Sequence, residues 1–518
     1  MPPDRIESPR VFPRLFLWIA SLVLCVRGLS DAASDIEKRM AGHKLARQYC
    51  VTCHLFPDPG AVDLKTWHDE ILPRMKYRLG FTSPELERST NIQILRANGR
   101  IPLQPVITEE QWMTLSEFFF AEAPKVARSQ PAHDDISVGG HPFRVAPVAF
   151  RGEGQSIASV AVDPVRHEVW LGDDATRAIH RLDGKGSWIA TIPLSNSPAR
   201  IRFRGGEALV TCLGLLPPND LQAGAVLKVN AGPLVEAPEM LLSGLRRPVD
   251  ALYLGEGGAP RVIVAEFGNN IGALSSHRRS GEGVWTAAKI LSVPGTVRLE
   301  SADFDQDGHV DFAALVAQET EALFLFRGDG KGGFQQKTLF QKPPQYGHSN
   351  FEAADFDGDG RLDFLVCNGD NGEFNSPLKP YHGVRIYLTQ ADGSVVEKWF
   401  YPLNGAYGAY ARDFDGDGDL DIAAISYFPD YDKNPRESFV YFENLGSWRF
   451  RPSTIKECIA GRWMSMAVGD LDGDGDDDLV LGSYINGPTG VPDFLMKIWN
   501  ASRIPALILY NKTREPKP

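Results

Sequence analysis

Cys50-Val51-Thr52-Cys53-His54 is the stretch of this chain whose residue types and spacing carry the most specific chemistry. Two thiols three positions apart, followed at once by an imidazole, form the C-x-x-C-H run that attaches a c-type haem. The thiols add across the haem vinyl groups, and the histidine is held beneath the iron as proximal ligand. A zinc site would need a second pair of soft ligands nearby, and no second cysteine pair follows within the same region. For the sixth position the sequence favours Met75, which lies 21 residues after His54 in a loop-like Leu72-Pro73-Arg74-Met75 segment. Met113, Met40, His43 and His68 are the other candidates, and Met113 reads as core of a helix. A Met/His pair raises the potential and leaves no open position, which favours electron transfer over ligand chemistry.

A second chemistry is written four times as D-x-D-x-D-G-x-x-D. The copies are Asp303, Asp305, Asp307, His309 and Asp311; Asp355, Asp357, Asp359, Arg361 and Asp363; Asp413, Asp415, Asp417, Asp419 and Asp421; and Asp470, Asp472, Asp474, Asp476 and Asp478. Their starts lie 52, 58 and 57 residues apart. Alternating carboxylates on a tight loop suit a hard cation such as calcium, which takes six to eight oxygens. Glycine at position six permits the sharp turn. Position seven offers its backbone carbonyl, so its side chain is free to vary, and the ninth aspartate closes the site. Apolar strands follow each loop, which excludes a helical EF-hand. The sequence therefore predicts up to four calcium ions, set against a formal charge of −12.

These residues need elements to position them. A helix over Ile36 to Tyr49 delivers Cys50, a turn-rich segment around Pro57 or Pro59 supplies the carbonyl that holds the His54 ring, and Thr66–Leu72 is helical. A closing helix opens at Thr108 and presents Trp112, Leu115, Phe118 and Phe119 on one face. Residues 33–124 resemble a small class I cytochrome c over about 90 residues. Residues 125–142 read as a polar linker.

From 143 to 514 the four Asp repeats continue upstream as degenerate units starting near Ser156 and Ala199, with a third over Leu252–Ala265 that has lost its carboxylates. Seven units of roughly 50 residues, each of four short strands, describe a seven-bladed β-propeller. The last unit is one strand short, and Phe143–Phe150 is placed to supply it. This region resembles the FG-GAP/VCBS repeat family, including the propellers of integrin alpha chains. The whole chain looks like exported bacterial proteins that pair a cytochrome c with such repeats. The fold class expected is thus multidomain, a small all-α cytochrome c domain followed by an all-β propeller.

Length and composition agree. At 518 residues, with 43% hydrophobic and 23% charged residues, the chain is a soluble multidomain protein. It has no basic stripe, which argues against a nucleic-acid partner. Arg5, Arg10 and Arg14 precede the apolar run Leu15–Val26, so residues 1–32 read as an export signal. The expected location is exported, periplasmic or cell-surface. Membrane attachment follows only if that segment is retained or Cys25 is lipidated. Cys212, Cys367 and Cys458 read as buried free thiols.

In a propeller the calcium loops join first and second strands and lie on one face. The opposite face then holds His348, Asp370, Glu373, Tyr381, His382, Arg436 and Trp463, a plausible binding mouth. Three functions compete. The first is c-haem electron transfer with the propeller as docking or substrate-binding platform, the partner being a redox protein or a small molecule. The second is a propeller dehydrogenase passing electrons to its own haem. The third is calcium-dependent adhesion or glycan binding, which tryptophan-rich pockets would favour.

Overall fold

The computed structural model describes residues 35–150, 154–255, 260–372, 378–488 and 490–514. The export segment expected over 1–32, Cys25 and Glu373 lie outside the described residues.

A helix over 35–49 runs into a 3-10 turn, Cys50–Thr52. The segments Leu64–Thr66, Trp67–Ile71 and Leu72–Arg78 follow as a continuous helix with a π turn in its middle. The closing helix, Glu109–Glu122, is entered through a capping box in which Thr108 and Gln111 exchange side-chain and backbone hydrogen bonds. Trp112, Leu115, Phe118 and Phe119 are buried on its inner face with Ala46, Trp67 and Leu72. Gly42 makes the crossing of the first and closing helices possible: a Cβ there would stand 2.5 Å from the Thr114 carbonyl oxygen and 2.6 Å from Phe118 Cβ.

Seven sheets follow in a ring, and each blade of the β-propeller runs antiparallel from its innermost strand outward. The innermost strands are Ile157–Asp163, Pro198–Arg204, Pro248–Leu254, Thr296–Ala302, His348–Ala354, Ala406–Arg412 and Trp463–Gly469. Second strands such as Asp311–Val316 and Asp421–Ser426 are buried throughout, since they are covered on both faces. The ring closes as the sequence expects: Phe143–Pro147 pairs with Ala506–Asn511 as the outer strand of the last blade, with Phe143 opposite Asn511. Closure removes a hydrogen-bonding edge. Within the stretch read as a linker, Ser137–Val138 pairs in parallel with Ser453 and Thr454 and adds a fifth strand to the sixth blade.

Candidate functional site: a cavity shared by the C-x-x-C-H segment and the propeller mouth

Cys50 is half-buried and Cys53 exposed. Burial, and then the neighbouring Cys53, pushes the Cys50 thiol up to about 11. The His54 ring donates through Nδ1 to the Leu55 carbonyl at 2.7 Å, which orients the ring and leaves Nε2 for a metal. Neither Pro57 nor Pro59 supplies that carbonyl. The Pro59 carbonyl instead accepts from the Trp67 indole at 2.8 Å.

Cys50, Cys53, His54 and Met75 line one cavity of about 1670 Å³. Its floor in the helical region is apolar, formed by Trp67, Trp112, Leu115 and Phe119. Paired thiols, an oriented imidazole, a thioether and an apolar floor in one space fit a c-type haem. Met75 sits in the helix Leu72–Arg78 rather than in a loop, with Pro73 directly after the π turn, where Leu72 N–H bonds the Trp67 carbonyl. Met113 is no core residue. It is 60% exposed and lines a separate groove with His68 on the far side of the closing helix. His43 is exposed and stacks against Phe118.

The same cavity continues into the propeller. It is lined by loops between second and third strands, Leu216-Pro217-Pro218, Asn269-Asn270, Gln318-Glu319-Thr320 and Tyr427-Phe428 among them. All of these lie on the face opposite the Asp loops. Two arginines of the helical region, Arg78 and Arg100, pair with Glu319 at 2.8 and 2.7 Å, and Arg78 also donates to Asn270. Deeper in, the innermost strands form the wall. Each slips register once near its start, so one residue per blade, from Ala158 in the first to Met464 in the seventh, has no cross-strand partner. Such a bulge bends the strand and re-aims its side chains. The next residue in each blade forms a ring at the channel: Ser159, Arg200, Asp250, Arg298, Asn350, Gly408 and Ser465. Tyr407, Tyr427, Phe428 and Met464 give one side of the mouth an aromatic and thioether character. Among the described residues the propeller's share of the lining has no tryptophan.

A buried pair lies at the wall. Glu321 accepts from the His348 backbone N–H at 3.0 Å and meets His348 Nδ1 at 2.5 Å. Burial raises the carboxyl well above its usual range and pushes the imidazole down to about 3, so the shared proton rests on Glu321.

The face residues expected from the sequence only partly converge. His348 and Asp370 line the cavity. Tyr381 lies flat on Tyr346, with ring centroids 4.7 Å apart, and its hydroxyl donates to the Gln345 carbonyl. His382 is buried, with burial driving its pKa well down, and Arg436 is exposed in the turn Pro435–Ser438, away from the cavity. Trp463 is fully buried, its indole donating to the Cys458 carbonyl, because a large ring at the start of an inner strand gains more from the core than from the mouth. The residues that dominate the wall, Arg298, Arg247 and Tyr407 among them, sit on or beside inner strands that the sequence reading left as scaffold.

On the other face the Asp loops gather three carboxylate oxygens each, within 4.8 Å of one another: Asp303, Asp305 and Asp311; Asp355, Asp357 and Asp359; Asp413, Asp415 and Asp417; Asp470, Asp472 and Asp478. The ninth aspartates also act as struts. Each accepts one N–H from its own loop and one from the end of the third strand, as Asp478 does from Leu471 at 2.8 Å and Asn511 at 2.7 Å. Asp311, Asp363 and Asp421 repeat the arrangement. Buried oxygens of Asp419, Asp474 and Asp476 have no hydrogen-bond partner. Burial, with neighbouring carboxylates adding to it, raises Asp421 and Asp478 to about 7 and Asp476 to about 6. Crowded, partly orphaned carboxylates of this kind fit a hard cation. At position seven, the Arg361 side chain turns back onto Asp359 and the Thr389 carbonyl.

Residues 303–366 match the FG-GAP-like repeat model and residues 462–491 the FG-GAP repeat model. The propeller carries FG-GAP repeats. Curated proteins yield no match to the sequence. Among solved structures, the chain is similar to the N-terminal domain of Nup159, with 10% identity over 74% of this chain and 99% of that one at a TM-score of 0.42. A chain from an assembly of Saccharomyces cerevisiae dbp5 with Nup159 and gle1 is similar at 10% identity over 74% of this chain and 98% of that one, with a TM-score of 0.42. A calcium-binding regucalcin of Agrobacterium tumefaciens is similar at 11% identity over 72% of this chain and 95% of that one, with a TM-score of 0.38. Among the described residues no helix is long and apolar enough to cross a membrane.

Proposed function

We propose that this chain is an exported c-type cytochrome fused to a calcium-stabilised FG-GAP propeller, and that it exchanges electrons with a small molecule or redox protein received at the propeller mouth. The observation that carries the reading is the single cavity lined both by Cys50, Cys53, His54 and Met75 and by the innermost propeller strands. Cys50 and Cys53 would hold the haem covalently, and His54 Nε2 and the Met75 thioether would bind its iron. The group supplies one-electron transfer when bound. The chain's own residues do the rest. Leu55 fixes the imidazole, and Trp67, Trp112 and Phe119 keep water from the floor. The Glu319 ion pairs hold the helical region over the mouth.

The test is covalent haem on a denaturing gel, using full-length protein from a host that attaches c-haem. Wild type should stain for haem, and Cys50→Ala plus Cys53→Ala should not. Equal stain in both would refute the assignment.

A dehydrogenase that passes electrons to its own haem is the second reading. The buried Glu321–His348 pair favours it, since it places a proton carrier at the cavity wall. In that case His348→Gln should slow substrate-driven haem reduction and leave chemical reduction by dithionite complete.

A further inference from the structure

The polar ring at the channel mouth contains a cationic group that the fold does not fully use. Arg298 is only 6% exposed. Its Nη2 donates to Glu300 at 3.1 Å, while Nε and Nη1 have no hydrogen-bond partner. Leaving two guanidinium nitrogens unmatched at a buried site is costly. On the neighbouring inner strand, Asn350 lines the same cavity with an unpartnered Oδ1. Most other charges around the mouth are matched. Asp250 is spent on Arg202 through hydrogen bonds of 2.8 and 2.7 Å, and Glu319 on Arg78 and Arg100. Glu321 keeps its proton beside His348, so it adds no negative charge. Arg247 donates to the Leu216 and Gly268 carbonyls and lies over the Phe267 ring, 5.0 Å from its centroid. Arg298, ion-paired to Glu300 through Nη2 alone, and Arg247 thus put guanidinium groups on the cavity wall, which Tyr407, Tyr427 and Phe428 also line.

We propose that the propeller mouth binds a small organic carboxylate, with its anionic head on Arg298 and its apolar body against Tyr407, Tyr427 and Phe428. A carboxylate supplies an acceptor that Nη1 lacks, and arginine suits it better than any other side chain. The ring beside it is sized by seven bulges and made rigid by the sheets behind, so the site is preorganised. As the substrate site of the cytochrome it rests on the haem reading above. The binding itself does not, because Arg298, Asn350, Tyr407, Tyr427 and Phe428 all belong to the propeller.

The experiment is isothermal titration of the full-length holoprotein with benzoate, and with benzyl alcohol as the neutral counterpart. Benzoate should bind saturably at one site per chain, at least tenfold tighter than benzyl alcohol. Arg298→Gln should weaken benzoate at least tenfold and leave benzyl alcohol unchanged. Asn350→Asp, which keeps Arg298 in place and offers it an internal carboxylate, should weaken benzoate as well while melting as wild type does. Lys456→Ala, on an exposed lysine away from the cavity, should change nothing. Absence of saturable benzoate binding in wild type would overturn the proposal. So would an Arg298→Gln variant that shifts the haem potential with no benzoate affinity to lose, since the carboxylate would then be a propionate of the haem itself. Benzoate binding in a protein that carries no covalent haem would sink the cytochrome reading and leave this site standing.

Discussion

At the scale of single residues, the two methionines separate cleanly. Met75 shares a cavity with Cys50, Cys53 and His54, whereas Met113 faces outward. Met75→Ala should therefore remove the absorption signature of thioether ligation from the oxidised holoprotein, and Met113→Ala should leave it in place. The reverse result would reassign the ligand. Trp463 was legible in the sequence only as an aromatic in a loop-rich region, and it is core. Its truncation to alanine should cost about 3–5 kcal/mol of propeller stability, measured by chemical denaturation, with no direct effect on the haem spectrum. A stability loss below about 1 kcal/mol would contradict the packing described. The C-x-x-C-H run was legible because its spacing is rigid and local. Arg298 was not, because what singles it out is that Nε and Nη1 have no acceptor, and acceptors come from other blades.

Among elements, the Asp loops combine both kinds of information. Their nine-residue spacing reads directly from the sequence, and so does the face they share. The role of the ninth aspartate as a strut does not, since the N–H it accepts from the third strand lies 17 to 33 residues away, as at Gly328 and Asn511. These struts make a pH prediction with a definite sign. Asp421 and Asp478 titrate near 7 in the folded chain without cation, above an ordinary carboxylate near 4 in the unfolded one. The folded state therefore holds more protons in that interval. In chelator the propeller should lose stability as pH rises from about 4 to about 7. Calcium should remove that loss, and at a hundredfold excess over Kd should add about 2.7 kcal/mol per site. Melting curves across pH, with and without chelator, read both effects, and superimposable profiles would exclude structural calcium. Helix packing offers a further check. Gly42→Val pushes a side chain into the Thr114 carbonyl and should separate the first and closing helices. The expected readout is reduced haem incorporation with an unchanged propeller melt.

For the whole molecule, the seven blades, their order and the closing strand Phe143–Pro147 were all legible, because repeats of fixed period and a missing last strand are statements about chain order. Where the helical region sits was not legible. It depends on Arg78 and Arg100 meeting Glu319 across more than 200 residues, and no local pattern encodes that meeting. The mouth itself was legible as a face but not as a list of residues. The inner strands hide their function behind an ordinary alternation, with Arg200 and Arg202 or Arg298 and Glu300 two apart in segments that otherwise read as core. Under the proposed reading this placement makes a haem bound at Cys50 and Cys53 electrostatically sensitive to the propeller mouth and insensitive to the far face. The direct measurement is the reduction potential of the full-length holoprotein after adding one negative charge on either side. Met464→Glu puts the charge on the cavity wall, and Val165→Glu puts it in an exposed turn on the face of the Asp loops. For a separation on the order of 10 Å and an effective dielectric of about 20, the first should lower the potential by about 70 mV. The second should leave it within about 10 mV, because charges far apart in salt are screened. Equal shifts from both variants, or no shift from Met464→Glu, would contradict a haem seated over the propeller mouth.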